Sequence, residues 1–259
     1  MLLAIDIGNT NIVLGLYDGG RLAVHWRLAT GKERTADEYA VVVLQLLALA
    51  GVAPRAVDAA ILASVVPPLT PTFVGLCRSR FGVTPLVVGP EVDTGLVIRY
   101  ANPAEVGADR IVNAVAAHAR YRRAAIVVDF GTATTFDYVS AAGEYLGGAI
   151  APGVAISAEA LVQRTSRLPR IEIARPAAVV GQTTEAAMQA GIFYGYVGLV
   201  DGIVTRMRQE VGGDPVVVAT GGLAPLIAPD TRTIQEVDEL LTLDGLRIIH
   251  ARLARPRQA

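Results

Sequence analysis

Two segments of the sequence place an aspartate at the end of an apolar run and follow it with a glycine and a polar side chain. They are residues 6–10 (DIGNT) and 129–132 (DFGT). A turn of this kind offers backbone amides and a hydroxyl or amide group to phosphate oxygens, while its carboxylate can organise a magnesium ion. One copy is weak evidence, because Asp-Gly turns are common in plain hairpins. Two equivalent copies favour a nucleotide site over a purely structural role for Asp6.

The sequence lacks two well-known glycine-rich phosphate motifs. No Gly-x-x-x-x-Gly-Lys-Ser/Thr segment exists, since Lys32 is the only lysine and stands in residues 30–34 (TGKER). No Gly-x-Gly-x-x-Gly segment follows a predicted strand either. Backbone amides, hydroxyls and bound cations must therefore balance the negative charge of a bound nucleoside triphosphate. This mode of phosphate binding resembles that of actin, sugar kinases and heat-shock chaperone ATPases. Residues 219–223 (ATGGL) resemble the glycine turn that lies under the adenosine in those proteins.

Composition and charge argue against several classes of function. The 259 residues are 52% hydrophobic and 18% charged, with a formal charge of −1 and a pI near 6.3. This balance provides no basic field for nucleic acid or anionic membranes. No uninterrupted apolar stretch reaches the roughly 18 residues of a membrane span. The N-terminus lacks the basic flank and cleavage site of a signal peptide, so we expect a cytoplasmic protein.

The remaining reactive side chains have structural interpretations. Cys77, the only cysteine, lies in a predicted helix, and we expect a packed thiol rather than a nucleophile. The three histidines, His25, His118 and His250, have neither the spacing of metal ligands nor an adjacent nucleophile. We therefore expect the chemistry of this chain to rest on carboxylates, hydroxyls and backbone amides.

The elements that would position these groups follow an α/β pattern that occurs twice. Strands are predicted at residues 2–8, 11–17, 21–28, 59–65, 84–88, 134–139, 144–151 and 215–220, and helices at residues 35–50, 70–80, 104–121, 154–163, 183–211 and 238–253. The opening strand and turn recur 129 − 6 = 123 positions later, where Asp129 repeats Asp6. We predict a duplicated actin-like (ribonuclease H-like) ATPase fold, with two similar domains of mixed sheets flanked by helices. The predicted halves are residues 1–120, with the first phosphate turn, and 121–259, with the second phosphate turn and the adenosine turn.

Four segments together resemble the type III pantothenate kinase family. That family carries an Asp-x-Gly-Asn-Thr turn, a Gly-Ala-Asp-Arg motif, an Asp-Phe-Gly-Thr-Ala-Thr-Thr-x-Asp stretch and a Gly-Gly-x-Ile-x-Pro-Gly turn. The matching segments are residues 6–10, 107–110, 129–137 and 147–153, and residues 64–67, 100–103 and 181–185 also resemble family segments. The similarity thus runs along nearly the whole chain. It implies a kinase that phosphorylates pantothenate with ATP at the start of coenzyme A synthesis.

The resemblance also implies roles for individual residues. Asp109 would be the general base that takes the proton from the primary hydroxyl of pantothenate as this hydroxyl attacks the γ-phosphate of ATP. ATP would contact Asp6, Ile7, Gly8, Asn9, Thr10, Asn11, Ile12, Val13 and Thr132. Pantothenate would contact Tyr100, Gly107, Ala108, Asp109, Arg110 and Thr184. Asp129 would bind K⁺ or NH₄⁺ in place of the missing lysine, and Asp6 is the candidate ligand for Mg²⁺ or another divalent cation.

Taken alone, several of these residues have structural interpretations that the sequence leaves open. Asp109 and Arg110 could form a surface ion pair. Tyr100 could be a core aromatic residue and Thr184 could cap a helix. Two rival functions are a regulatory protein that binds nucleotide without turnover and a sugar or acetate kinase on the same fold. The Asp109 base and the neutral charge disfavour the first rival, and residues 100–110 favour pantothenate over the second.

A homodimer with a substrate site shared between subunits is the predicted assembly. In it, Thr184 would reach the pantothenate that Tyr100 and Gly107 of the other subunit bind. The predicted helix at residues 183–211 carries small residues at spacings of three and four, namely Ala186, Ala187, Ala190, Gly191, Gly195 and Gly198. Such a face lets two helices approach closely. Close packing against the sheet of the same chain explains the pattern equally well.

Overall fold

The computed structural model describes residues 1–254, which form two β-sheets flanked by helices. Two compact units divide these residues: the first holds residues 1–96, 100–119 and 241–254, and the second holds residues 97–99 and 120–240. The predicted α/β class is confirmed. The division of the sequence at residue 120 stays a prediction about its duplication, and the C-terminal helix lies in the first unit.

The first unit is built on a five-stranded sheet. Its strands are β1 (Leu2–Ile7), β2 (Asn11–Asp18), β3 (Arg21–Ala29), β4 (Ala59–Ser64) and β5 (Leu86–Val87). They are ordered β3-β2-β1-β4-β5. Strands β1, β2 and β3 are antiparallel neighbours, whereas β4 is parallel to β1 and β5 is parallel to β4.

The second unit repeats this arrangement with one extra edge strand. Its strands are β6 (Val97–Ile98), β7 (Ala125–Phe130), β8 (Ala133–Val139), β9 (Glu144–Pro152), β10 (Val216–Thr220) and β11 (Glu236–Val237). They are ordered β11-β10-β7-β8-β9-β6. From β7 to β11 the strand directions are those of β1 to β5. The duplicated topology expected of the actin-like fold is therefore confirmed.

Helices cover both faces of the first sheet. The helices of the chain are α1 (Ala36–Leu49), α2 (Leu69–Leu76), α3 (Ala108–Tyr121), α4 (Val154–Arg164), α5 (Thr184–Val211), α6 (Ala224–Ile227) and α7 (Leu241–Ala254). Leu3, Ile5 and Ile7 of β1 are fully buried in one core with residues of α1 and α2. Because side chains alternate along a strand, Asp6 faces the other side of this sheet. On that side Leu243 of α7 contacts Gly15 of β2.

Helix α5 forms much of the core of the second unit. Phe193, Val200 and Val204 of α5 are buried together with Ile126 and Val128 of β7. Among residues 1–254, α5 is the one helix that is long and apolar enough to cross a membrane by length and composition. Its burial against β7 is the arrangement expected of the central helix of a globular unit.

The structure differs from the predicted elements at several ends. The helix predicted at residues 70–80 ends at Leu76 and continues as a π-helical turn over Cys77–Phe81. The helix predicted from residue 104 begins at Ala108, after a 3₁₀ turn at Pro103–Glu105. The two-residue strands β6 and β11 were not predicted, because so short a segment has no detectable periodicity.

Candidate active site

The first phosphate turn joins β1 to β2. Asp6 and Ile7 end β1, Gly8, Asn9 and Thr10 form the turn, and Asn11, Ile12 and Val13 begin β2. Thr30, which follows β3, holds this turn: its amide donates to the Thr10 carbonyl (2.9 Å) and its hydroxyl to the Gly8 carbonyl (2.7 Å). The side chains of Ile7 and Ile12 are fully buried. These two residues can therefore contribute to the site only by shaping the turn that carries Asn9 and Thr10.

Asp109 lies beside this turn within the same unit. The amide of Val65, just after β4, donates to the Ile7 carbonyl (3.0 Å). A β-carbon added to Gly107 would lie 3.7 Å from Cγ1 of Val65 and 2.5 Å from Oδ1 of Asp109. Ile7, Val65, Gly107 and Asp109 thus form a continuous set of contacts, and a side chain at position 107 would collide with the carboxylate.

The local environment of Asp109 is that of a helix N-terminus. Asp109 lies in the first turn of α3, and its Oδ1 accepts a hydrogen bond from the Arg110 amide (2.8 Å). A carboxylate at this position also interacts favourably with the helix dipole. Arg110 is only 7% exposed, which argues against the surface-pair alternative. Ala108 begins α3, and Tyr100 is partly buried in the segment that leads to it.

The second phosphate turn contains Asp129, at the end of β7, and Thr132. Gly221 follows the neighbouring strand β10 with φ of +90°. A β-carbon added there would lie 2.6 Å from Oδ1 of Asp129 and 2.7 Å from the Phe130 carbonyl oxygen. One carboxylate oxygen and one carbonyl oxygen therefore approach the same face of Gly221, and any larger residue would press on both.

The start of α4 contacts the second turn as well. Gly153 immediately precedes α4, and a β-carbon added to it would overlap the carbonyl oxygen of Thr132. Glycine is the residue that allows this approach. The glycines at 153 and 221, which lie 68 positions apart (221 − 153 = 68), therefore both pack on one turn.

The oxygen atoms beside Asp129 are of the type that K⁺ binds, whereas Mg²⁺ at Asp6 would need further ligands. Within residues 1–254, no group of three or more His, Cys, Asp or Glu side chains is placed to hold a metal ion. A Mg²⁺ ion at Asp6 would need phosphate oxygens and water to complete its coordination, as this ion commonly has in kinases. The carboxylate and carbonyl oxygens beside Gly221 are the ligand types that suit K⁺, which is readily coordinated by backbone carbonyls.

Asp137, a buried carboxylate near Asp129, was not identified from the sequence as a separate site residue. Asp137 of β8 is 1% exposed and accepts hydrogen bonds from the hydroxyls of Thr135 (2.9 Å) and Tyr145 (2.6 Å). Thr135 lies directly opposite Asp129 in the antiparallel register, so both face the same side of the sheet. The spacing of Thr135 and Asp137 could have indicated this hydrogen bond, because residues i and i+2 of a strand share one face.

Thr184 is the first residue of α5, and it does not cap the helix. The cap is Thr183, whose hydroxyl oxygen accepts a hydrogen bond from the Ala186 amide (3.1 Å). The capping alternative for Thr184 is therefore wrong. Its side chain is exposed at the start of the helix.

The small residues of α5 divide between two environments. Ala190 is 4% exposed, so packing within its own unit explains its size. Gly191, Gly195 and Gly198 are exposed, and no atom lies within 4 Å of a β-carbon added to any of them. Packing against the sheet of the same chain therefore explains Ala190 and leaves the three glycines without an intrachain reason.

The cysteine and the C-terminal histidine are structural, as predicted. Cys77 is fully buried, and burial raises the pKa of its thiol to about 12. So high a pKa leaves almost no thiolate near neutral pH. Burial also lowers the pKa of His250, and the nearby Asp58 carboxylate partly opposes this effect.

Comparison with protein families gives matches along the sequence. The sequence model of a family described as type III pantothenate kinase matches residues 2–206. A protein from Geobacter sulfurreducens is 60% identical over 252 residues, which cover 97% of this chain and 99% of that protein. A protein from Pelobacter propionicus shows the same identity and coverage. Both relatives carry the name type III pantothenate kinase.

Solved structures resemble this chain in fold. A conserved Baf family protein from Campylobacter jejuni matches with a TM-score of 0.61 at 20% identity, over 97% of this chain and 98% of that one. The activator of the 2-hydroxyisocaproyl-CoA dehydratase from Clostridium difficile, solved with bound ADPNP, matches with a TM-score of 0.53 at 11% identity, over 100% and 99% of the two chains. At such identities the similarity concerns the fold, and it agrees with the predicted actin-like class.

Proposed function

Since the chain belongs to the type III pantothenate kinase family, we propose that it transfers the γ-phosphoryl group of ATP to the primary hydroxyl of pantothenate. The product is 4′-phosphopantothenate, the first intermediate of coenzyme A synthesis. The observation that carries this function is 60% identity to named type III pantothenate kinases over 97% of the chain. The contacts of Asp109 with Gly107 and of Val65 with the first phosphate turn support it at the level of the site.

The first phosphate turn binds ATP in this proposal. The Gly8 amide already donates to the Asn11 carbonyl (2.9 Å), so the backbone amides and exposed side chains of Asn9 and Thr10 meet the phosphate oxygens. Ile7, Gly8, Asn11, Ile12 and Val13 form the rest of the turn and its flanking strand ends. Thr132 of the second turn is a further ATP contact. Asp6 holds Mg²⁺, which neutralises phosphate charge when it is bound.

Asp109 acts as the general base. Its carboxylate accepts the proton of the primary hydroxyl of pantothenate while the hydroxyl oxygen forms its bond to the γ-phosphorus and the bond to the β-phosphate oxygen breaks. The Arg110 amide donates a hydrogen bond to this carboxylate in the first turn of α3. Phosphoryl transfer depends mainly on alignment and charge neutralisation, so one positioned base and dispersed phosphate contacts form a sufficient set.

Asp129 holds the monovalent cation, K⁺ or NH₄⁺. Lys32 is the only lysine and is exposed in the 30–34 segment. No other lysine exists to meet the phosphate charge. Asp129 and the Phe130 carbonyl supply oxygen ligands beside Gly221, and the cation contributes positive charge at the phosphates.

The working unit is a homodimer whose substrate site is shared. Tyr100, Gly107, Ala108 and Arg110 of one protomer contact pantothenate, and Thr184 of the partner subunit completes the site. The exposed glycines of α5 support this assembly, because a helix face without side chains lets a second helix approach closely. A cytoplasmic location is part of this proposal.

An assay of ADP release with several acceptors tests the function. Purified protein is supplied with ATP, Mg²⁺ and K⁺, and with pantothenate, a hexose or acetate in parallel. We expect turnover with pantothenate and none with the other acceptors. Turnover with only the hexose or acetate would overturn the proposal, and nucleotide binding without turnover on any acceptor would favour the regulatory alternative.

A further inference from the structure

Helix α3, which carries Asp109, packs on the C-terminal helix α7 within the first unit. The hydroxyl of Thr242 donates a hydrogen bond of 2.7 Å to Oδ1 of Asn113, a residue that is only 1% exposed. Gly245, one turn further along α7, lies so close that a β-carbon added to it would overlap the Val112 carbonyl oxygen. The two helices therefore meet through a partly buried hydrogen bond and a backbone contact that only glycine permits.

Helix α7 is also fixed to the sheet that bears the first phosphate turn. A β-carbon added to Gly15 of β2 would lie 2.8 Å from Cδ1 of Leu243. At the far end of the same strand, the hydroxyl of Tyr17 donates to Oδ1 of Asp244 (3.2 Å). Leu243 and Leu246 of α7 are buried at 1% and 0% exposure. One helix thus contacts the β1–β2 hairpin and α3.

The contact between α7 and α3 lies one helical turn along α3 from the proposed base, Asp109. Val112 and Asn113 follow Asp109 by three and four residues. Residues at these spacings share one face of a helix, one turn apart. A rotation or shift of α3 about its contact with α7 would therefore move the Asp109 carboxylate relative to the phosphate turn.

We infer that Thr242 and Gly245 of α7 are positioning residues for phosphoryl transfer: through Asn113 and Val112 they set where α3 holds Asp109. This inference rests on the proposed function, in which Asp109 is the base. It assigns to the C-terminal helix a positioning role that neither the phosphate turns nor the family motifs indicate. The expected effect is on the catalytic step, because ATP is held by the β1–β2 turn while the base is carried by α3.

Substitution of Thr242 tests the inference. Thr242→Val removes the hydroxyl and keeps the shape, whereas Thr242→Ser keeps the hydroxyl. The matched control is Thr231→Val, since the half-buried Thr231 hydroxyl also donates one hydrogen bond of 2.7 Å, to the Ala228 carbonyl in the second unit. Each variant is checked for folding by circular dichroism, and kcat and the KM values for ATP and pantothenate are measured well below the melting temperature.

We expect Thr242→Val to lower kcat by about 10-fold or more, since small misplacements of a catalytic group have effects of this size. The KM for ATP should stay about unchanged, and Thr242→Ser and Thr231→Val should retain wild-type kcat. A folded Thr242→Val with wild-type kcat would overturn the inference, as would an equal loss in Thr231→Val. Should Thr242→Val fail to fold, Thr242→Ala takes its place with the same two outcomes. A wild-type protein that is inactive on pantothenate would instead overturn the proposed function, and this inference with it.

Discussion

At the scale of single residues, the two aspartates of the proposed site have different surroundings. Asp109 accepts a hydrogen bond from a backbone amide in the first turn of a helix, and Gly107 leaves space beside its carboxylate. Asp129 lies at a strand end, where a second oxygen, from the Phe130 carbonyl, approaches the same glycine. The first environment suits a base that must reach a substrate hydroxyl. The second suits a ligand of a cation.

Asp109→Asn should lower kcat by about 10²–10⁴-fold, the usual contribution of a general base. The amide keeps the shape of the side chain and cannot accept the proton. Binding of ATP should change little, because the β1–β2 turn is untouched. Asp18→Asn, at the exposed end of β2, is the control and should retain wild-type activity. A purified Asp109→Asn protein with near-wild-type kcat would show that another group is the base.

Activity should depend on a monovalent cation held by Asp129. We expect slow turnover in a buffer with sodium as the only monovalent cation, and recovery on addition of potassium or ammonium. Asp129→Ala should abolish this recovery, because it removes the charged ligand. Steady-state rates across the three salts at constant ionic strength provide the measurement. Equal rates in sodium and potassium would contradict the role of Asp129.

At the scale of elements, glycines at element ends let separate segments approach the turns. Gly153 allows the start of α4 to contact Thr132, and Gly221 allows the end of β10 to lie against Asp129. Each glycine is close to the second phosphate turn in space and distant from it in sequence. Substitutions at these positions should therefore disturb this turn as well as the element that carries them.

Gly221→Ala should impair the cation site. The added methyl group would lie 2.6 Å from Oδ1 of Asp129, so the carboxylate must move. We expect lower activity and weaker activation by potassium. The matched control is Gly213→Ala: Gly213 also has positive φ (+71°), but no atom lies within 4 Å of its added β-carbon. Gly213→Ala should lose about 1 kcal/mol of stability from backbone strain. Gly221→Ala should lose more, because its methyl group also presses on the Phe130 backbone. An equal loss of potassium activation in the two variants would show that backbone strain alone causes it.

The exposed glycine face of α5 should be a dimer contact. Gly195→Arg places a long charged side chain on this face, and we expect it to shift the protein from dimer to monomer in light scattering. Gln45→Arg, on the exposed face of α1, adds the same group elsewhere and should leave the mass unchanged. A Gly195→Arg protein that remains a dimer would place the subunit contact on another surface.

At the scale of the whole molecule, two units share one topology and carry different functional groups. In the first unit a phosphate turn joins β1 to its antiparallel neighbour β2, and in the second unit a phosphate turn joins β7 to β8. The turns differ in length: Ile7 pairs with Ile12 across four residues, whereas Phe130 pairs with Thr134 across three. Duplication thus supplied two turns, and only the first unit carries the Gly-Ala-Asp-Arg segment.

Mixed dimers test whether the substrate site is shared. Asp109→Asn and Thr184→Arg subunits should each be nearly inactive as homodimers. Co-expression should restore activity, because one site of each mixed dimer would carry both intact residues. Mass spectrometry of the intact complex verifies that mixed dimers form. Mixed dimers without activity, or a fully active monomer, would contradict a shared site.

The sequence by itself determined the fold class, the two phosphate turns and the residues at their strand ends. These features are local: short apolar runs bounded by turn residues identify the strands, and each Asp-x-Gly turn is contained in a few adjacent residues. The 123-residue spacing of Asp6 and Asp129 then indicated the duplication. Most predicted helices and strands agree with the structure to within a few residues because their patterns span several turns or pleats.

Only the tertiary structure decided which distant residues meet. It brought Gly107 to Val65, Gly221 to Asp129 and Gly245 to Val112, and no local pattern encodes these contacts because they depend on how whole elements pack. It also showed that Thr183 caps α5, and that Ala190 is buried while Gly195 is exposed on the same helix. The spacing of small residues identifies a helix face that permits close approach. Which of those residues face the chain's own core is set by the packing of α5 on its sheet, a property of the folded unit.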